Sequence, residues 1–297
     1  MRRSATLVTV VLTMGLAACG GGDGGSDAAP AAASPPPSAP PPAPADSAQR
    51  LAAIAAVDSL LRTPSEYLQL ASVTAGWDYM YSFYASSQCP LSGFRQILLD
   101  GAPWYIRLPT GRHTLSAQFD SCKFSGPMAD LLLKGSAEVV YEMPAPENVS
   151  ATVTMTQFTE DTYGPGLLAD GPASYTIERS SNAYRSLIDL RPGATLTDSA
   201  STNRIAFVGG RYTYVSDRSA NPGTDTQELV GVILDFNGVR YLLDGRIVAS
   251  SSGSTWTCTG EVRITDSNGG LAARKYCAAG RTEYEIIKPI PLFYGPR

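Results

Sequence analysis

Residues Gln227–Ile247 read QELVGVILDFNGVRYLLDGRI. Asn237-Gly238 sits at the centre and suits a type I′ turn, whose two central residues both need positive φ. A two-residue turn there sets Asp235 opposite Arg240, Leu234 opposite Tyr241 and Val232 opposite Leu243. Apolar and polar residues alternate on both sides, so the two strands share one buried face. The stretch predicts an antiparallel hairpin, and the chain around it repeats the pattern. Gly209-Gly210 joins RIAFV to RYTYV and reads as another hairpin turn, with Phe207 opposite Tyr212 and Ile205 opposite Tyr214. Ser267-Asn268-Gly269-Gly270 separates TCTGEVRIT from LAARKYC. Further strands are predicted near 93–100, 113–124, 131–143, 149–159, 172–179, 183–190 and 193–198. Short strands punctuated at this spacing mean an antiparallel β protein. Leu132-Leu133-Lys134-Gly135 and Leu242-Leu243-Asp244-Gly245 are alike, and each precedes another strand-like segment. Duplication of a β unit and chance both account for the match.

Upstream the period changes. Ser47–Arg62 (SAQRLAAIAAVDSLLR) reads as a helix, with Leu51, Ile54, Ala55 and Leu61 on a stripe that Asp58 interrupts. Thr63-Pro64-Ser65-Glu66 has the form of a capping box with Pro at N1, opening a second short helix towards Thr74 that Gly76 would end. Trp77, Tyr79, Tyr81 and Phe83 then alternate as a strand would, although Trp77, Met80, Tyr81 and Tyr84 also fit a helix. The expected architecture is mainly β: a twisted antiparallel sheet or open β-barrel with one or two N-terminal helices packed on one face. A membrane-spanning barrel also has alternating strands. Several candidate strands carry charge on both faces, which disfavours it.

Apart from Cys19, the cysteines are Cys89, Cys122, Cys258 and Cys277. Hairpin register decides among the three connectivities open to them. A four-residue loop over Asp266–Gly269 sets Thr265 opposite Gly270 and Cys258 opposite Cys277, leaving Cys89 for Cys122. No C-x-x-C occurs, and the spacings fit no zinc motif.

The residues that carry chemistry are sparse. His113 is the single histidine, so histidine-rich metal centres drop out and a Ser-His-Asp triad would depend on it alone. It lies in Thr110-Gly111-Arg112-His113-Thr114, at a turn or strand start, and no G-x-S-x-G accompanies it. No Walker loop, dinucleotide fingerprint or penicillin-binding Ser-x-x-Lys is present in the folded part, so no cofactor is expected. Glu160-Asp161 and Glu283-x-Glu285 are the densest carboxylate clusters, and a carboxylate pair could serve a hydrolase. Period two puts Glu283 and Glu285 on one strand face, which a solvated sheet edge also explains. Asp266-Ser267-Asn268-Gly269 begins like a calcium loop but lacks the later ligands, and it reads as a turn. Asn148-Val149-Ser150 has the form of a glycosylation sequon.

The first residues are MRRSATLVTVVLTMGLAAC. Arg2-Arg3 form a basic start, Ala5–Leu16 a short apolar run, and Leu16-Ala17-Ala18 a small-residue approach to Cys19. The run is shorter than the roughly 20 residues a spanning helix needs. It resembles the signal peptide of a bacterial lipoprotein with a complete L-A-A-C lipobox. The resemblance implies cleavage before Cys19, diacylglycerol on its sulfur and acylation, palmitate included, of its new amino group. Two or more chains give stable attachment. Gly20, not Asp, follows Cys19, which by resemblance to enterobacterial sorting favours the outer membrane. The domains are then 1–18 signal, 19–46 lipidated cysteine with a Gly/Pro-rich tether, and 47–297 a helix-capped β domain. The tether is flexible in its Gly part and extended in its Pro part.

Removal of residues 1–18 takes Arg2 and Arg3, so the formal net charge of −4 becomes −6. That balance argues against nucleic acid and against a polybasic membrane patch. The expected function is a cell-envelope lipoprotein acting as a non-catalytic binding or assembly module towards protein or glycan. Two alternatives stand beside it. One is a carrier of a lipid or other apolar ligand in a curved-sheet cavity, similar in fold class to outer-membrane receptors of the lipoprotein-sorting pathway. The other is a carboxylate hydrolase.

Overall fold

A computed structural model describes residues 47–74, 88–104, 108–125, 130–161, 166–252 and 255–294. The aromatic run 77–84, Gly76, Cys19 and the tether lie outside them. One helix, α1 (Ser47–Thr74), precedes β1 (Ser92–Leu99), β2 (Ala102–Pro103), β3 (Gly111–Ser125), β4 (Asp130–Ala145), β5 (Asn148–Asp161), β6 (Leu167–Arg179) and β7 (Ala183–Leu190). Then come β8 (Thr195–Asp198), β9 (Arg204–Asp217), β10 (Gly223–Phe236), β11 (Val239–Ser252), β12 (Thr255–Asp266), β13 (Leu271–Ala278) and β14 (Arg281–Ile286). The fourteen strands of the described residues belong to one sheet, in the order β14-β13-β12-β11-β10-β9-β7-β6-β5-β4-β3-β1-β2, with β8 between β6 and β9. Every pairing is antiparallel. Among the described residues no pairing joins β14 to β1 or β2, so the sheet is open.

The Asn237-Gly238 hairpin has the predicted register, with Asp235 opposite Arg240, Leu234 opposite Tyr241 and Val232 opposite Leu243. Asn237 and Gly238 have φ of 53° and 78°, and the Gly238 N–H donates to Asp235 Oδ1 at 3.0 Å. Gly209-Gly210 is not a turn. It lies inside the continuous strand β9, and Phe207 faces Leu234 while Tyr212 faces Leu229 and Ile188. Gly210 (φ 112°) is a kink at which a Cβ would come within 2.3 Å of Val232 Cα.

That kink has counterparts on neighbouring strands. Positive φ occurs at Gly93, Ser121, Gly135, Gln157, Gly171, Gly231, Gly245 and Gly260. Ladder shifts accompany several of them, as at Lys134/Ser136 and Leu229/Val232. Bulges and glycine kinks increase local twist and bend a strand. Aligned from strand to strand they curl the sheet. The two Leu-Leu-x-Gly stretches are two instances of the device, supplying Gly135 to β4 and Gly245 to β11.

The amount of curl follows from α1. Tyr67 OH donates to Asp170 O (2.9 Å) on β6, while Asp58 accepts from Lys275 Nζ (2.9 Å) and Tyr284 OH (2.8 Å) on β13 and β14. In a flat sheet at about 4.8 Å per strand, β6 would stand roughly 29 Å from β13 and roughly 34 Å from β14. Residues 58 and 67 are only about 14 Å apart along a helix. The sheet must therefore wrap around α1.

The helix is continuous where two were expected. Pro64 cannot supply the N–H that Leu60 O would receive in an α-helix, which normally kinks or ends one. Here Thr63 Oγ1 donates to Leu60 O at 2.9 Å and takes that place. The apolar stripe is also rotated from the predicted one. Val57, Leu60, Pro64, Tyr67 and Ala71 are buried, whereas Leu51 is 66% exposed. Asp58 sits beside the buried face because Lys275 and Tyr284 satisfy its carboxylate. Burial pushes the Tyr284 phenol pKa up, and Asp58 adds to the effect.

Beneath the helix the rings of Tyr67 and Phe207 lie 5.2 Å apart, and the C-terminal segment after β14 closes the layer. Phe293, fully buried, packs edge-on against Phe236 and Tyr294. Its N–H donates to Ser59 Oγ, and Asn203 Nδ2 donates to its carbonyl at 3.0 Å.

The cysteines pair as Cys89–Cys122 and Cys258–Cys277, with Cα separations of 5.4 and 5.6 Å. One bridge staples the β1 end of the open sheet and the other joins β12 to β13 near its β14 end. The register around the second differs from the one the loop predicts. Thr265 faces Leu271, and from Ile264 opposite Ala273 the ladder runs two residues further along β13 than predicted. Ala272 is the extra residue, and its carbonyl accepts the N–H groups of Ile287 and Lys288. The bridge therefore spans diagonal positions.

Candidate functional site

Directly paired residues of antiparallel strands share a face. Tyr67 and its neighbours mark the inner face, so the register defines the outer one. One outer row runs Arg112, Glu142, Ser150, Thr176, Leu187, Thr213 and Glu228 from β3 to β10. Beside it run Val140, Thr152, Ser174, Asp189, Arg211 and Val230. Two cavities lie along these rows. One of about 300 Å³ includes Arg112, Glu142, Thr152, Ser174, Thr176, Leu187 and Asp189 in its lining. The other, about 460 Å³, includes Arg185, Leu187, Asp189, Arg211, Thr213 and Glu228. Leu187 and Asp189 line both, so the two shallow cavities adjoin, and together they are called the trough. From β3 to β10 it crosses about six strand spacings, roughly 29 Å.

Its polar groups are organised. Arg211 Nε donates to Asp189 Oδ1 at 2.7 Å. Arg191 Nη2 donates to Ser174 Oγ at 2.6 Å, and Thr152 Oγ1 lies 3.3 Å from Ser174 Oγ. Hydroxyls of β5 and β6 make the floor, and paired guanidinium and carboxylate groups make the β7–β9 side. The outer face continues past the trough as a ladder in which Arg263 and Arg274 both donate to Glu261 and Arg274 also holds Glu285.

His113 lies near the start of β3 as predicted, and among the described residues its ring nitrogens bond to a carboxylate and a backbone carbonyl, not to a hydroxyl or thiol. Nδ1 donates to Asp100 Oδ2 at 2.7 Å, and Nε2 lies 3.2 Å from Thr110 O. Acceptors at both nitrogens favour the doubly protonated ring. The bond to Asp100 raises the His113 pKa above its usual 6.5, and the same bond lowers that of Asp100. The pair contributes stability fully below the unfolded His value and loses it as pH rises through the folded one. The Asp100 contribution is lost as pH falls through its lowered value. An NMR titration of the single imidazole should give a midpoint above 6.5, which Asp100→Asn returns to the ordinary range. A wild-type midpoint at or below 6.5 would contradict the pairing.

The other sequence candidates are dispersed. Asp161 accepts from Thr159 Oγ1 at 3.2 Å at the end of β5, and Glu285 is held by Arg274 on β14, with Glu283 on the same face. Asp266 is committed to its turn. It accepts the N–H groups of Asn268 and Gly270 and an ion pair from Lys288, which with them holds its carboxyl below the usual range. Asn148 Oδ1 accepts the Arg179 N–H. Among the described residues no group of three His, Cys, Asp or Glu side chains could hold a metal ion, and no helix is long and apolar enough to cross a membrane. Sequence reasoning missed the trough. Its one signal was the run of Ser150, Thr152, Ser174 and Thr176 on the polar side of strands β5 and β6, which gives polarity and not concavity.

No protein-family model, no curated protein and no solved structure matches the chain.

Proposed function

We propose that the chain is a lipid-anchored, non-catalytic binding module of a bacterial cell envelope, and that its working surface is the outer trough from β3 to β10. The trough is the observation that carries this reading, because binding sites are concave and of this volume range. The anchor rests on L-A-A-C at 16–19. A binding role fits better than catalysis because Asp189 is tied to Arg211, and His113 to Asp100 and Thr110. The carrier alternative draws no support from the packing of Tyr67, Phe207, Phe236 and Phe293 beneath the helix.

The test places a photo-crosslinking residue at Thr152, in the trough, and separately at Arg263, on the ion-paired ladder, in the chain with intact Cys19. Adducts to an envelope component are expected at Thr152 and not at Arg263. Cys19→Ala should release the protein from the membrane fraction and abolish the adduct. Equal labelling at both positions, or membrane retention without Cys19, would contradict the reading.

A further inference from the structure

Resting on that reading, we infer that the occupant of the trough is a neutral, linear glycan, held by hydrogen bonds from the outer face of β3 to β10. The charge pattern points there. Arg112, Arg185 and Arg211 line the trough together with Glu142, Asp189 and Glu228, and Arg191 reaches its floor at Ser174, so charges of both signs are interspersed and nearly cancel. A polyanion would meet three carboxylates and a polycation four guanidinium groups. A polyhydroxylated chain meets neither problem, because each sugar hydroxyl both donates and accepts.

The floor matches that requirement. Ser150, Thr152, Ser174 and Thr176 present an array of donor–acceptor hydroxyls at strand spacing. The Arg211–Asp189 pair sets a donor beside an acceptor. A protein partner is less well served. Protein interfaces centre on buried aromatic anchors in an apolar core. On the outer rows the apolar residues in the trough are Val140, Leu187 and Val230, which lie apart on β4, β7 and β10. The strands under the trough pair on both sides, so no backbone edge is free to add a strand. The length fits as well, since a trough of roughly 29 Å across six strand spacings takes an extended chain and not a single small molecule. Recognition by hydrogen bonds without an apolar anchor is weak, so dissociation constants near the millimolar range are expected.

The test is calorimetric titration of the full lipidated protein in a detergent without a sugar headgroup. The probes are hexamers of β-1,4-glucan, α-1,4-glucan, β-1,4-mannan and β-1,4-N-acetylglucosamine, with oligogalacturonate as the acidic comparison and chitosan as the basic one. At least one neutral hexamer should bind, with affinity unchanged between low and high salt, as an uncharged ligand requires. Thr152→Tyr, on the exposed floor, should weaken it at least tenfold while thermal unfolding stays at the wild-type temperature. Asp189→Asn should weaken it without filling the trough. The inference is overturned if the charged oligomers bind more tightly than every neutral one, if no neutral hexamer binds, or if neither substitution changes the affinity. Were the Thr152 crosslink to persist in any of these cases, the trough would stand as a binding surface and the glycan would not. Loss of the crosslink as well would remove the trough itself.

Discussion

Gly210→Ala should cost roughly 3–5 kcal/mol of unfolding free energy, while Gly209→Ala, one residue away, should be neutral or stabilising by up to about 1 kcal/mol. The contrast comes from geometry. Gly210 has φ 112°, and a Cβ there would lie 2.3 Å from Val232 Cα and 2.4 Å from Gly231 O. Those neighbours are backbone and cannot swing aside. A positive φ adds strain of its own for a residue with a side chain. Gly209 lies outside the left-handed region, and no atom stands within 4 Å of where its Cβ would be. Urea unfolding of both variants, compared at equal m-value, measures the difference. Similar costs at the two positions would restore the Gly-Gly hairpin and remove the kink that bends β9.

Phe293→Ala should cost about 3–5 kcal/mol, the usual range for a large ring removed from a core. Its ring is fully buried between Phe236 and Tyr294, and its backbone is held by Ser59 and Asn203. The loss would therefore loosen the C-terminal segment from both α1 and the turn before β9. Leu292→Ala, at a side chain 41% exposed, should cost less than about 1 kcal/mol. Thermal unfolding of the two variants separates them. Equal midpoints would mean that the segment lies on the sheet without holding it. A core substitution of this size is a large fraction of the 5–15 kcal/mol that ordinary domains possess.

Different residues show why parts of this fold could be read and parts could not. The Asn237-Gly238 register was legible because turn chemistry is local, with both positive φ values demanded by residues at the turn itself. The strand positions followed from alternation. Gly209-Gly210 satisfies a turn and a bulge equally, and what decides is the backbone of Val232 on the next strand. The phase of α1 depended on Asp58 finding Lys275 and Tyr284, more than two hundred residues away in the chain. Its continuity depended on Thr63 replacing one missing donor. Cys258 and Cys277 pair across a register displaced by Ala272, whose bulge is fixed by the segment after β14 and leaves no local signal. The trough was least legible, because it takes residues from β3 to β10, brought side by side only by the strand order.

The most direct test of whether the ligand belongs outside the sheet or beneath the helix is native mass spectrometry of the protein purified from cells that express the full chain. On the proposed anchor, the predicted mass is that of the chain from Cys19 with acyl groups and two disulfides, the same before and after denaturation. A mass excess of an apolar molecule that disappears on denaturation would contradict it, place the ligand under α1 and make the protein a carrier.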